Sequence, residues 1–202
     1  MALKTRVPFI DPIDEAEATG KVAELYEEDR ADEGYVANLT RAFSHAPEVA
    51  DAWGSLIVTV RKRMDQRRYE LVSVAAAQRL RSSYCMLAHG SILATKFYAP
   101  GHVARIVSDR ANAGLDETDL AVMELAEKVA AEATAVTQSD VDRLKRLGLT
   151  DSEIFDIVAA AAARAFLTKL IDGLGFQPDS AYARMEPELR DVLVVGRPID
   201  DA

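Results

Sequence analysis

The sequence predicts an all-α protein built from one domain, residues 1–202. Glycine and proline are sparse, with 10 and 7 copies among 202 residues, and they separate long stretches rich in Ala, Leu, Glu and Arg, which favour helix over strand. Hydrophobic residues make up 49% of the chain and charged residues 28%, so a packed core is feasible and a disordered chain is excluded. The length fits one domain of ordinary size.

Capping residues and glycine stops divide the chain into predicted helices. The first eighteen residues, with their prolines and acidic breaks, are predicted to form an extended arm, and the residues from 177 onward a C-terminal tail. Between these ends, helices are predicted over residues 22–32, 39–46, 48–63, 66–80, 84–98, 102–111, 116–133, 138–148 and 150–175.

Individual residues justify these boundaries. Thr19 is placed to cap the first helix, and Gly34 to end it. Pro47 occupies a first-turn position of the third helix, where its missing N–H costs nothing, and Asp65 caps the fourth. The last helix carries no charge over residues 157–163, so it is expected to be buried on nearly all sides.

The boundary between the fourth and fifth helices matters most for chemistry. Either Ser82 or Ser83 is placed to cap the fifth helix, which puts Cys85 in its first turn. Unpaired amides and the helix dipole stabilise a thiolate there, so we expect a lowered pKa for Cys85. His89 follows four residues later, one turn along the same face, within reach of the thiol proton.

Charge and cysteine content exclude several classes of protein. The net charge of −9 argues against binding nucleic acid or an anionic membrane surface. The single cysteine excludes an internal disulfide framework, and His45 and His102 show no ligand spacing with His89, so neither a metal nor a cofactor is predicted. No signal peptide or membrane span is apparent, and we expect a cytoplasmic protein.

A shift of 86 residues gives a weak internal similarity. It aligns Asp65 with Asp151, and residues 75–77 with residues 161–163, all alanine. A duplicated helical pair would explain the match, but so would two small-residue helices of independent origin. With a duplication, Cys85 falls opposite Ile171 and His89 opposite Gly175, so only the first copy could carry chemistry.

Glu70 is the third candidate for chemistry. It enters an apolar helix face, and no other charge follows until Arg79. Such a carboxylate suits a proton relay to a cysteine, although an isolated Glu is usually solvated. A lone cysteine in an Ala/Leu-rich helix is likewise more often a small buried hydrophobe than a nucleophile.

Together these residues resemble a known family signature. The string Glu70-x11-Ser82-x2-Cys85-x3-His89 resembles the Glu-x11-Cys-x2-Cys-x3-His signature of the alkylhydroperoxidase D-like, carboxymuconolactone decarboxylase superfamily. The segments IDPIDEAEATGKVAELY, GYVANLTRAFSHAPEVADAW and GLTDSEIFDIVAAAAARAFLTKLIDGLGFQPD resemble its peroxidase-related branch. The resemblance implies an alkylhydroperoxidase D-like helical bundle.

The resemblance also implies roles for the matching residues. Cys85 matches the cysteine that reacts with peroxide, and His89 and Glu70 match the relay that removes its proton. Ser82 replaces the exposed first cysteine of the signature, so the family's disulfide cannot form here. Tyr84 takes a place where some members carry histidine, and we expect it at the substrate pocket.

Three functions follow as hypotheses. The first is reduction of small hydroperoxides by Cys85 alone, with an external thiol or dithiol as reductant. The second is a decarboxylase-like lyase in which Glu70 and His89 act on a small carboxylated substrate, and Cys85 only lines the pocket. The third is a non-catalytic helical oligomer with a decayed site. The family's assemblies imply a homo-oligomer, a trimer or hexamer or else a dimer, and apolar Ala-rich helices support self-association.

Overall fold

The computed structural model describes residues 7–201, and within them the secondary structure consists of helices with no strand, as predicted. Three short 3-10 helices, after α6, α7 and α9, supplement the α-helices. The α-helices are α1 Gly20–Glu33, α2 Asn38–Ala42, α3 Pro47–Arg61, α4 Gln66–Leu80, α5 Ser83–Lys96, α6 Pro100–Ser108, α7 Glu117–Glu132, α8 Gln138–Arg146, α9 Asp151–Leu174 and α10 Pro187–Leu193.

Helix α4 forms the centre of the bundle and packs against α5, α7 and α9. Its first turn is capped as predicted, because the Asp65 carboxylate accepts a hydrogen bond of 2.9 Å from the Arg68 backbone N–H. Every residue from 69 to 77 is buried, and only Glu70 among them carries a charge. The small side chains of residues 75–77 allow the neighbouring helices to approach closely.

The break between α4 and α5 is a tight turn held by the C-terminal segment. Arg81 ends α4 in the left-handed region with a φ of 58°. Gly196 packs directly on this turn, and a Cβ added there would lie 1.9 Å from the Arg81 carbonyl oxygen. The Gly196 N–H donates a 2.8 Å hydrogen bond to Ser83 Oγ. Only glycine fits at position 196 without moving the turn.

The residues after 176 are part of the bundle, so their prediction as a tail is wrong. Helix α10 packs against α6 and α5, and it buries Leu189 and Leu193 completely. Leu193 lies so close to α5 that a Cβ on Gly90 would stand 2.7 Å from it. The prolines of this segment suggested a tail. Helix α10 is too short for its apolar residues to show a clear helical period in the sequence.

The N-terminal arm forms no helix over residues 7–18, where the chain has bends and a turn, and the first six residues of the arm lie outside the described residues. Hydrogen bonds of its backbone groups hold the arm against the helices. The Phe9 N–H donates to the Leu174 carbonyl at 2.8 Å, and the Tyr26 hydroxyl donates to the Ile13 carbonyl at 2.8 Å. It therefore joins the end of α9 to α1.

Helix α9 is not buried on all sides, which corrects the prediction. Phe155 and Phe166 are 65% and 45% exposed, and Val158 lies on the same face. This face borders α3, and together they form an apolar groove that we call the α3–α9 groove. Its lining residues are Val49, Ala52, Trp53, Leu56, Ala159, Ala162, Ala163 and Phe166. Absence of charge over residues 157–163 thus marked an apolar surface as well as a core.

The suggested internal duplication stays a prediction, and α8 lies within the residues that correspond to α3 at the shift of 86 residues. At the shift of 86 residues, α4 corresponds to the first part of α9. The chain breaks after Arg81, whereas α9 continues unbroken past Leu167, the corresponding position. None of the helices in residues 7–201 combines the length and the apolar character that crossing a membrane requires.

The same substitution at two glycines should have opposite effects on stability. Gly196→Ala should lower the free energy of unfolding by about 1–3 kcal/mol, because the new methyl group meets the Arg81 carbonyl. Gly173→Ala, in a helical position with no atom within 4 Å of the added Cβ, should raise it by up to about 1 kcal/mol. Urea unfolding measures both, and equal effects would contradict the close packing of residue 196 on the turn.

Candidate active site

The start of α5 places two of the predicted residues. Ser82 occupies the position that caps α5, but its hydroxyl accepts no capping hydrogen bond; it is fully buried beside the Cys85 thiol and the Asp172 carboxylate. Ser83 lies inside the helix, and its hydroxyl is taken by the C-terminal segment. Cys85 lies in the first turn as predicted, with its side chain directed into the core and only 2% of the residue exposed.

Glu70 and His89 form a hydrogen-bonded pair across the α4–α5 interface. Glu70 Oε2 lies 2.5 Å from His89 Nδ1, and both side chains are buried. A carboxylate only accepts hydrogen bonds, so Nδ1 carries the proton and Nε2 of the neutral ring is left as a base. The other Glu70 oxygen has no hydrogen bond and lies 4.0 Å from the guanidinium of Arg61.

Burial sets the charge of this histidine. It lowers the pKa of His89 to about 4, and the positive charge of Arg164 acts in the same direction. The hydrogen bond that His89 donates to Glu70, together with the negative charge of that carboxylate, opposes both effects without overcoming them. His89 is therefore neutral at neutral pH, and a proton that reaches it is held by the Glu70 carboxylate.

Cys85 has a raised pKa, so the lowered value expected from its helical position is wrong. Burial raises the pKa of the thiol, and it outweighs the opposing charge and hydrogen bond of Arg164. A helix N-terminus stabilises an anion by roughly 1 kcal/mol or less at exposed sites, whereas burial of a charge costs several times more. The sequence showed the first effect but not the depth of burial.

Arg164 is a member of the site that sequence reasoning missed. It belongs to α9 and is 3% exposed. Its Nη1 lies 3.8 Å from Cys85 Sγ, and its Nη2 donates a 3.0 Å hydrogen bond to the hydroxyl of Tyr69. The sequence held a signal for its burial, because Arg164 directly follows the seven uncharged residues of a helix that was expected to be buried.

Tyr69 lies between the Glu70–His89 pair and the Arg164–Cys85 pair. Its hydroxyl binds Arg164, and its ring meets the His89 ring edge-on with centroids 6.1 Å apart. Arg61 lies over the same ring at 5.9 Å and also borders a surface depression that it shares with Val58. The side chains of Tyr69 and Arg61 thus separate the buried groups from the outside.

Tyr84 is not directed toward these groups. Its hydroxyl donates to the Asp179 carboxylate and accepts a 3.0 Å hydrogen bond from the Leu39 backbone N–H. The ring meets Tyr182 edge-on. Burial raises the pKa of Tyr84, with the Asp179 charge contributing in the same direction, so the phenol stays protonated. These contacts tie α5 to α2 and to the segment after α9, and the place of Tyr84 at a substrate pocket stays a prediction.

The structure thus unites Glu70, His89, Cys85 and the unpredicted Arg164, with Ser82 at the start of the same helix. Cys85 and His89 lie one turn apart on α5 and are not hydrogen-bonded to each other. Over the described part of the chain, no group of three or more His, Cys, Asp or Glu side chains is arranged to hold a metal ion.

Solved structures share this fold. An uncharacterized peroxidase-related protein from Ralstonia eutropha JMP134, described as an alkylhydroperoxidase AhpD core, aligns over 88% of this chain and 95% of its own, with a TM-score of 0.77 and 20% identity. A peroxidase-related protein from Silicibacter sp. TM1040 aligns over 91% and 98%, with a TM-score of 0.75 and 18% identity.

The debrominase Bmp8, as a variant in complex with 2,3,4-tribromopyrrole, aligns over 91% of this chain and 96% of its own, with a TM-score of 0.73 and 14% identity. No protein-family model and no curated protein matches the sequence. The structural likenesses confirm the alkylhydroperoxidase D-like fold that the sequence signature implied, and at these identities they establish the fold alone.

Acid should destabilise the protein through His89. The folded pKa of about 4 lies below the ordinary 6.5, so the unfolded chain binds more protons between these values. The contribution of the neutral His89 ring to the free energy of unfolding is complete above pH 6.5, the ordinary pKa. It is lost as the pH falls to the pKa of the folded protein, and the loss amounts to roughly 3 kcal/mol. Urea unfolding of His89→Gln should show a weaker pH dependence over this window. Identical dependence in both proteins would contradict the buried neutral ring.

Tyr84→Phe should lower stability and leave the thiol untouched. The variant removes one hydrogen bond to buried Asp179 and one from Leu39, which costs about 1–3 kcal/mol. Tyr35→Phe is the control, because that ring is partly exposed and its hydroxyl makes no hydrogen bond. Iodoacetamide labelling of Cys85 should proceed at the parent rate. A changed labelling rate in a Tyr84→Phe protein of unchanged stability would contradict this prediction and would show that Tyr84 acts on the thiol.

Proposed function

The chain has the alkylhydroperoxidase D-like fold, and we propose that it reduces small organic hydroperoxides through Cys85. The observation that carries the proposal is the buried Glu70–His89 pair, which leaves a neutral imidazole one helical turn from the only thiol. A peroxide-reducing thiol must lose its proton and the departing alkoxide must gain one, so a base that passes the proton on serves both needs.

The reaction balances with these groups alone. His89 Nε2 takes the thiol proton, directly or through water, and the Cys85 sulfur attacks the terminal peroxide oxygen. The O–O bond breaks, and the alkoxide takes the proton from the imidazole, while Glu70 stabilises the cation in between. The hydroperoxide is reduced to an alcohol, and Cys85 is oxidised to a sulfenic acid.

An external thiol must complete the cycle, because the Ser82 hydroxyl cannot form a disulfide with Cys85. A first thiol condenses with the sulfenic acid, which gives a mixed disulfide and water. A second thiol then releases Cys85 and leaves as the oxidised pair. The cytoplasm, where reduced thiols are plentiful, suits this cycle.

The lyase hypothesis uses the same pair in another way. There Glu70 and His89 would do acid–base work on a carboxylated substrate, and the thiol would be unnecessary. The buried Arg164 contacts Cys85 directly, which favours a reaction at sulfur over a passive thiol. A debrominase shares the fold, so a brominated pyrrole belongs among the substrates assayed beside hydroperoxides.

We also propose that the chain associates with copies of itself through the α3–α9 groove. Large apolar side chains are half-exposed on both helices, among them Leu56 and Phe166, with small alanines between them. A second copy of the same surface would bury the aromatic side chains against those alanines, as close helix packing requires. A trimer or hexamer, or else a dimer, is the expected assembly.

Substitution of the thiol separates the hypotheses. Cys85→Ser should abolish reduction of cumene hydroperoxide by dithiothreitol, followed as loss of peroxide, since oxygen cannot replace sulfur in the redox cycle. Glu70→Gln should retain the thiol and lose about 10²–10⁴-fold in rate. An acid–base lyase would instead survive Cys85→Ser and fail with Glu70→Gln. Parent protein without peroxide turnover would contradict the peroxidase proposal.

Charge placed in the groove should dissociate the assembly. Light scattering after size exclusion should give a multiple of 22.0 kDa for the parent protein and 22.0 kDa for Phe166→Glu. Lys169→Glu, exposed on the same helix but outside the groove, should keep the parent mass. A 22.0 kDa parent at micromolar concentration would refute self-association.

A further inference from the structure

Arg164 is a buried cation whose contacts include no carboxylate. Its guanidinium reaches Cys85 Sγ at 3.8 Å and the Tyr69 hydroxyl at 3.0 Å. Its Nε has no hydrogen-bond partner, although only 3% of the residue is exposed. The guanidinium remains protonated at any pH at which the protein folds. The interior therefore holds a positive charge beside a thiol and a phenol, both of them normally neutral.

Such a charge is unfavourable for folding. Removing a cation from water costs free energy that only a well-placed anion recovers, and an apolar side chain of similar volume often gives a more stable protein. Two other buried charges in this chain, both carboxylates, follow the usual rule and are paired with an arginine. Asp156 is paired with Arg63, and Asp119 with Arg67. Arg164 departs from that rule at the position where the reactive sulfur lies.

We infer that Arg164 is the counter-charge of the Cys85 thiolate, a positioning residue that makes the ionised sulfur tolerable inside the helical bundle. The effect of Arg164 on ionisation of Cys85 does not depend on the proposed function. Only the reaction of the thiolate with peroxide rests on it. With Arg164 in place, loss of the thiol proton turns a lone buried cation into an ion pair. Without it, ionisation would create an isolated buried anion.

The remaining groups near Cys85 cannot replace Arg164. The Ser82 hydroxyl lowers the pKa of the thiol through a hydrogen bond, but it carries no charge. Asp172, also on α9, opposes ionisation of the thiol through its negative charge. Tyr182 comes from the 3-10 segment after α9 and is kept protonated, since burial raises its pKa. His89, on the same helix as Cys85, is neutral. Among the described residues, only Arg164 places a cation within hydrogen-bond distance of the sulfur.

Tyr69 holds the guanidinium in its place. Its hydroxyl accepts from Nη2, which leaves Nη1 directed at the sulfur. The planar fork of arginine makes both contacts at once, and lysine, with one nitrogen, cannot. The same geometry suits the product, because a sulfenic acid also ionises and its anion again faces the guanidinium.

Two measurements on Arg164→Met test the inference together. Ionisation of Cys85, followed by thiolate absorbance near 240 nm and by the pH dependence of iodoacetamide labelling, should shift upward by at least one pH unit. Labelling at pH 7 should therefore slow at least tenfold. Thermal unfolding should show a melting temperature equal to or above that of the parent, because the variant removes an unfavourable buried charge.

Matched variants separate charge from packing. Arg63→Met leaves buried Asp156 without its arginine, so it should lower the melting temperature and leave thiol ionisation unchanged. Arg164→Lys should shift ionisation less than Arg164→Met, because the charge remains. Tyr69→Phe keeps the arginine but releases one of its contacts, so it should also raise the pH of ionisation, by a smaller amount.

The outcomes are decisive. Unchanged ionisation in Arg164→Met overturns the inference. If that variant does not fold, unchanged ionisation in Tyr69→Phe and Arg164→Lys overturns it instead. A shift in ionisation together with a parent protein that reduces no peroxide supports the counter-charge and rejects the proposed function. Peroxide turnover with no shift in any variant supports the function and rejects the counter-charge.

Discussion

Two opposite charges lie on the inner faces of α4 and α9, and neither has appreciable contact with solvent. The Glu70 carboxylate is bound by His89, and the Arg164 guanidinium by Tyr69 and Cys85. Each charge depends on fixed protein groups, since burial without them would be prohibitive. His89 and Cys85 both lie on α5, directly after the turn that ends α4. The geometry of this turn, and the C-terminal segment that packs on it, therefore position the whole site.

In the proposed function, the reactivity of the Cys85 thiol has a different physical origin from the one that the sequence suggested. The helix N-terminus, which the sequence suggested as the source, acts on a side chain so buried that desolvation prevails. In our inference, the Arg164 guanidinium stabilises the thiolate, which the helix dipole alone cannot do. The proton has a separate destination in the Glu70–His89 pair, and Tyr69 contacts both this pair and Arg164. Charge stabilisation and proton transfer are thus divided between α9 and α4.

Sequence patterns that depend on neighbouring residues predicted well, and those that depend on distant ones did not. The Asp65 cap, the break after Arg81 and the placement of Cys85 follow from local chemistry. The spacing of Glu70 and His89 indicated their pairing through the family signature. The contact of Arg164 with Cys85 spans 79 residues, and no local pattern encodes it. Tyr84 was assigned by its place in the signature, but its hydroxyl is held by Asp179, 95 residues away.

The central claim is that Cys85 is the group that reacts with peroxide, and trapping its product tests it most directly. Parent protein treated with one equivalent of cumene hydroperoxide and dimedone, then digested and analysed by mass spectrometry, should carry one dimedone adduct, on Cys85. The adduct should disappear when a thiol is added before the trap, because the mixed disulfide forms first. Peroxide consumed without an adduct on Cys85, or a thiolate that forms and leaves the peroxide intact, would contradict the account.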